Sequence, residues 1–220
     1  MIEILTPRVP LYHKIMLFLM PDRTVAEAIE LKGRVDWAPD FKGKRLPWNR
    51  LHVTTNLFGK SLDRPNCLIE DLKAALSEVR FMPFWMGFDW VCSFGARDKR
   101  PRVLASGDIG KFQHFRRSVR GTLADAGIKD FLPSKIDPHV TMFYDRRAAP
   151  SVRIDTIGWT VREFVLVDSW VGLTRHEILG RWVLNDPIMR PTARDPLEGE
   201  ACLDVTSSCP ACPSSAGARP

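Results

Sequence analysis

The tripeptide His-Val-Thr occurs twice, as His52-Val53-Thr54 and His139-Val140-Thr141, once in each half of a 220-residue chain. With only five histidines present, one such triplet is expected by chance roughly 0.02 times, so a pair marks a duplicated structural role. Both lie in runs that read as β-strands. Side chains at i and i+2 share one face of a strand, so each triplet sets an imidazole beside a hydroxyl and turns Val53 or Val140 into a core. If the two halves form similar lobes, two imidazoles and two hydroxyls meet across a cleft about an approximate twofold axis.

The surrounding elements fit that frame. An apolar hexad at 15–20 stops at Pro21 and predicts a first strand. Thr24 and Glu27 have capping-box spacing, and Gly33 can end the segment, which predicts a helix over 24–32. Residues 33–50 form a loop whose Lys42, Lys44, Arg45 and Arg50 are either solvated or border a site. In the strand at 51–58, Leu51, Val53, Thr55 and Leu57 share one face and His52, Thr54 and Asn56 the other. Helices follow at about 66–80 and 110–126, with strands at 84–94 and 102–106 between them, as in a hairpin with a long loop. Strands are expected at 139–144, at 157–173, bent or split, and at 178–184.

Composition bounds the remainder. At 45% hydrophobic and 26% charged the chain is globular, not collagen, coiled coil or disordered, and no apolar run approaches the roughly 20 residues of a membrane span. Glu3, Pro7 and Pro10 interrupt the N-terminal stretch, so no secretory signal is expected, and a soluble, cytoplasmic, monomeric protein is. Five unevenly spaced cysteines oppose a disulfide framework. The net charge of +6 is concentrated before residue 186, a balance that suits a polyanion such as RNA or a nucleotide phosphate. The domain is expected at 13–185, with an N-terminal arm at 1–12 and a flexible tail at 186–220. The tail's Cys209 and Cys212 have metal-site spacing but no histidine nearby.

Two histidines near their ordinary pKa can act together, one neutral and accepting a proton, the other charged and giving it. In-line cleavage of a phosphodiester needs both transfers, with Thr54 and Thr141 holding the nonbridging oxygens. Two competing readings stay open. A metal centre would need a third ligand, for which Asp137 and Asp145 flank the second triplet, and two buried structural histidines would leave the recurrence of threonine without a cause.

With these motifs the chain resembles the 2H phosphoesterase superfamily, in particular its bacterial 2′,5′ RNA ligase-like, RNA 2′,3′-cyclic phosphodiesterase branch, whose mark is a tandem H-x-T/S. The opening strand, the stretch from Leu51 to Gly59, Pro138 to Thr141 and, more loosely, a closing hairpin from Leu173 to Trp182 carry the resemblance over about 13–184. It implies a bilobal, pseudo-symmetric α+β fold, two antiparallel β-sheets facing a central cleft with helices packed outside. It also implies hydrolysis of RNA 2′,3′-cyclic phosphate ends to 2′-phosphomonoesters, with His139 as base on water, His52 protonating the leaving 3′ oxygen, and no metal or other cofactor. The expected partners are RNA ends or nucleotide cyclic phosphates. Thr55 stands where the branch usually has Leu, and Tyr144 where it commonly has Arg, a cation that Arg146 or Arg147 could replace. A 2H-type enzyme on a small cyclic nucleotide or ADP-ribose cyclic phosphate, and a nucleotide-binding module without turnover, remain as alternatives.

Trp48, in the basic loop, and Phe143, two residues past Thr141, are candidates for stacking on a base, Phe143 having core packing as its other role. His13, His114 and His176 read as surface residues. The tryptophans at 85, 90, 159, 170 and 182 read as packing between sheets, and Arg102, Arg116 and their basic neighbours as solvated faces.

Overall fold

The hexad at 15–20 forms a strand whose alternation defines the two sides of a sheet. In β1 (Tyr12–Leu19), Ile15, Leu17 and Leu19 enter the main core, while Phe18 packs on the opposite face with Val165 and Val167. The protein is seen in a computed structural model that describes residues 12–37, 43–94, 100–145, 150–173 and 175–185. The expected tail with its cysteine pair, and Lys42, Arg97, Lys99, Arg146 and Arg147, lie outside the described residues.

Helix α1 (Arg23–Val35) is capped by Asp22, whose carboxylate accepts from the Val25 N–H at 2.9 Å, so the cap is one turn-start earlier than the Thr24/Glu27 box predicts. Gly33 does not end this helix. It is buried within it, where a Cβ would come 3.3 Å from Met142 Sδ, and the absent side chain lets the helix lie close on a strand. A two-residue strand β2 (Lys44–Arg45) and one turn of 3₁₀-helix at Trp48–Arg50 lead into β3 (Val53–Ser61). Then come α2 (Asn66–Ser77), β4 (Phe84–Ser93), β5 (Arg100–Ala105), α3 (Gly110–Asp125) and β6 (His139–Asp145). The apolar stretch expected at 157–173 splits at Arg162 into β7 (Val152–Val161) and β8 (Glu163–Val171), and β9 (Arg175–Val183) closes the fold.

All pairings are antiparallel and form two sheets, of order β3-β1-β8-β9 and β2-β6-β5-β4-β7. The fold is α+β with two sheets, as expected, but the lobes are not successive halves of the chain. The first sheet joins both ends, because β1 sits between β3 and β8, and the second is built from the middle. Each sheet sends one face into a shared core that also takes the apolar faces of the helices, including Ile29, Leu72, Phe112 and Phe115. Full burial of such side chains contributes about 1.5–3 kcal/mol each.

Irregularities in register decide which side chains reach the other faces. Opposite β1, Thr55 and Phe58 are extra residues of β3; opposite β5, Met142 is an extra residue of β6. The Thr55 hydroxyl donates to the Leu17 carbonyl at 3.1 Å, which accounts for a polar residue at a fully buried position. Asn56, expected beside His52 and Thr54, is displaced by the bulge and buried, with its amide donating to Asp130 at 2.9 Å.

Arg116 is another departure: at 1% exposure it is a core residue, not part of a solvated face. It donates to the Thr55 carbonyl at 2.7 Å, to Ser134 and Pro133 carbonyls, and to Asp130 at 3.2 Å. Asp130 also accepts the Leu57 N–H, so the segment leading to the second triplet is bonded to the strand bearing the first. Arg102 is likewise buried and donates to the Pro150 carbonyl. Trp85 and Trp90 are exposed rather than packed between sheets, whereas Trp159 is in the core.

Candidate active site

Both triplets open onto one cavity of about 450 Å³. His52 and Thr54 reach it from the first sheet, His139 and Thr141 from the second. Lys14, Lys44, Arg50 and His176 also line it, with Tyr144, Ser169 and the turn after β8, and among the described residues no carboxylate does. This is an anion-directed surface. A larger hollow of about 740 Å³, lined by Trp85, Arg162, Glu163 and Arg181 among others, contains neither triplet.

The two histidines are held by the same local device. His52 Nδ1 lies 2.7 Å from the Arg50 carbonyl and His139 Nδ1 3.0 Å from the Asp137 carbonyl, in each case two residues upstream. A carbonyl only accepts, so Nδ1 carries the proton and donates, and Nε2 of each neutral ring is the nitrogen left for a ligand. Asp137 thus serves through its backbone, and not as the metal-binding carboxylate considered above. Among the described residues no group of three or more His, Cys, Asp or Glu side chains could hold a metal ion.

Their surroundings differ. The His52 ring is stacked on Phe18, with centroids 3.7 Å apart and planes 17° from parallel. Burial lowers its pKa to about 3; the Arg50 carbonyl works against that, and the charges of His176, Arg50 and His139 add to it. With the cleft empty this imidazole is neutral. His139 is half-buried and meets the edge of Phe94 at 5.2 Å.

His176 is the residue that sequence reasoning misplaced. It lies on β9, lines the cavity, and its ring centroid is 5.5 Å from those of both His52 and Phe18. Arg50 Nη2 donates to His176 Nε2 at 3.2 Å, and burial with the nearby Arg50 charge lowers the His176 pKa to about 4. By register His176 stands beside Ser169, on the strand three places from β3. The twist and coil of the sheet bring these opposite corners together, a contact with no local sequence signature. His13 is also not on the surface: it is in β1, with Nδ1 2.7 Å from the fully buried Asp168. His114 is exposed, as expected.

Neither aromatic candidate lines the cavity. Trp48 donates its backbone N–H to Glu30 and lies beneath the Arg23 guanidinium, packed on the main core. Phe143 is 1% exposed in that core, because the Met142 bulge reverses the alternation after Thr141 and gives the cleft position to Tyr144. The basic loop does contribute: Lys44 and Arg50 face the cavity. Arg50 and Tyr144 line the same cavity, so Arg50 brings a guanidinium to the neighbourhood of the position where the resemblance calls for one.

Searches against protein-family models and curated protein sequences return no match. Solved structures do match. A crystal structure described as a phosphoesterase superposes with a TM-score of 0.62 at 20% identity, covering 79% of this chain and 99% of the other. The apo form of E. coli LigT gives 0.58 at 21%, covering 80% and 99%. This chain has their fold. A Thermus thermophilus protein shares it at a TM-score of 0.58 and 19% identity, over 79% of this chain and 99% of its own length. LigT has also been solved with 3′-AMP, with a TM-score of 0.59 at 21% identity. Each neighbour is matched over almost its whole length, so the common fold takes in two sheets and not a single motif.

Proposed function

We propose that the chain is a 2H phosphoesterase that hydrolyses 2′,3′-cyclic phosphate at RNA ends to a 2′-phosphomonoester, by acid–base catalysis without a metal. One observation carries the reading: two imidazoles, each with Nδ1–H tied to the carbonyl two residues back, share a cavity with two threonines and several cations, and with no carboxylate among the described residues. Cations around the site repel a metal ion and attract a phosphodiester. The LigT-like fold supports the same class, and the LigT complex with 3′-AMP supports a ligand of nucleotide size.

In the reaction His139 takes a proton from water, whose oxygen attacks phosphorus in line, and His52 protonates the departing 3′ oxygen. Thr54 and Thr141 donate to the nonbridging oxygens, where negative charge is held through the transition state. A neutral His52 is a poor acid until substrate arrives. A phosphate charge about 4 Å from a protonated ring is worth roughly 4 kcal/mol at an effective dielectric near 20, about three decades in the protonation equilibrium. That returns His52 to the ordinary histidine range in the complex, so binding of the anion and protonation of the acid are coupled. The same step with a 5′-hydroxyl in place of water, its proton going to His139 and its oxygen displacing the 3′ oxygen, would give a 2′,5′ linkage.

The test is turnover of an oligonucleotide ending in 2′,3′-cyclic phosphate with EDTA present, the product read by phosphorus NMR. A 2′-monoester made by the wild type and lost in His52→Ala and His139→Ala is the expected result. A 3′-monoester, or turnover that EDTA abolishes, overturns the mechanism. Tight binding of product with no cleavage on this substrate, on small cyclic nucleotides or on ADP-ribose cyclic phosphate makes the protein a binding module.

A further inference from the structure

The histidines and threonines of the two triplets account for one phosphate, yet the cavity holds a separate set of groups suited to an anion. Lys14, Ser169 and His176 form a row across three neighbouring strands of the first sheet: Lys14 pairs with Ser169 in β1–β8, and Ser169 with His176 in β8–β9. All three line the cavity. The row lies at the Tyr12 end of β1, whereas Thr54 pairs with Phe18 near its other end; His176, whose ring comes within 5.5 Å of that of His52, is the end of the row that adjoins the first set. Lys14 has no carboxylate partner among the described residues, and its only recorded contact is with the Tyr12 ring, 5.7 Å from the ammonium.

Arg50 links the sets. Its carbonyl fixes His52, its Nη2 donates to His176, and its Nε is buried with no hydrogen-bond partner. A guanidinium bonded to a neutral imidazole, with a further N–H unsatisfied, is poised for a stronger acceptor, and a phosphate oxygen is one. The opposite wall adds Lys44 and, among the described residues, no acid.

We propose that Lys14, Ser169, His176 and Arg50 form a second phosphate subsite, which takes the phosphate one linkage away from the one under attack. Resting on the function proposed above, this makes the preferred substrate a nucleotide with two phosphates, met either as the last linkage of an RNA strand or as a 5′-phosphate on a free nucleotide. Arg50 leaves His176 for the incoming anion, while Lys14 supplies its charge from β1. A nucleoside cyclic phosphate, with one phosphorus, fills half of the site.

Binding decides the matter independently of turnover. Calorimetry would compare adenosine 2′-monophosphate with adenosine 2′,5′-bisphosphate on the full-length protein at fixed ionic strength. The wild type is expected to bind the bisphosphate at least about tenfold more tightly, a difference of about 1.4 kcal/mol. In Lys14→Met and in His176→Gln the ratio should fall toward one, while Lys73→Met, which removes a charge from the exposed side of α2, keeps it. Equal affinities in the wild type, or a ratio preserved in both cleft variants, overturn the subsite. Turnover of a dinucleotide cyclic phosphate against a 5′-phosphorylated mononucleotide cyclic phosphate distinguishes the two sources. If neither is cleaved but the affinity ratio behaves as stated, the hydrolase reading fails and the subsite stands.

Discussion

The two His-Val-Thr triplets are identical in sequence and in the bond that orients each imidazole, but they sit in unlike settings. His52 is pressed on Phe18 at 3.7 Å, next to His176 and Arg50, and burial takes its pKa to about 3. His139 meets only an aromatic edge and is tied to the Asp137 carbonyl at the rim. The strand of the first triplet is also braced by Arg116 and Asp130, and the comparable brace on β6 is the β5 ladder with its Met142 bulge. Repetition therefore sets how each ring is held, while groups from distant strands set what surrounds it, and a symmetric pair of residues sits in an asymmetric cleft.

The sharpest attack on this comparison removes each ring in turn. His52→Ala and His139→Ala should each lower kcat/KM on a cyclic phosphate by about 10²–10⁴-fold, the range for a general acid or base. The double variant should be little worse than either single one, because the two transfers belong to one step. Additive losses would mean that the rings act separately and that the symmetry has no chemical meaning.

Next in size is the brace. Arg116→Ala takes away one of the two guanidinium partners of buried Asp130, Arg120 remaining at 3.1 Å, and strips the Thr55 carbonyl of its donor, a change expected to cost about 1–3 kcal/mol, read as a shift in the urea midpoint. Because Arg116 also holds the Thr55 carbonyl, the residual activity of the folded fraction should fall through misplacement of Thr54. An unchanged midpoint would show that the first triplet needs no more support than the second.

Much of this was legible in advance because it is local. Alternation around Ile15 to Met20, the apolar spacing of Leu72, Phe112 and Phe115, and both triplets identify strands, helices and the chemistry-bearing faces from a few adjacent residues. What escaped depends on register or on charge compensation at a distance. Nothing near Phe143 announces that Met142 is an extra residue, so strand alternation offers Phe143 to the cleft as an alternative to the core, where it lies, and does not offer Tyr144. Nothing near Arg116 announces Asp130 as its buried partner, and nothing near His176 announces that coiling of the sheet carries it to His52. A bend or split within 157–173 is legible in the sequence, but not that its two sides enter different sheets.

A smaller effect concerns the hydroxyls. Thr54→Val and Thr141→Val remove one donor each and keep the shape, and loss of such a donor commonly costs about 10²-fold in kcat. Equal losses are expected if both touch the phosphate. Serine at either position should restore most of the activity, which a purely structural role for the methyl group would not allow.

The remaining effect is on stability, and its sign is definite. In the unfolded chain His52 and His176 titrate near 6.5, whereas in the fold burial holds them at about 3 and about 4. Between those values the unfolded chain binds more protons than the native one, so stability falls as pH drops through that window and is unaffected by these groups above it. Each group adds at most about 1.4 kcal/mol per pH unit to the slope. Denaturation from pH 7 to pH 4 should show the decline, and His52→Gln and His176→Gln should each flatten it. Phe18→Leu should flatten it less, by admitting water to one face of His52. Should all three variants keep the wild-type slope, the asymmetry between the two rings is not one of burial, and the coupling of anion binding to protonation of His52 loses its basis.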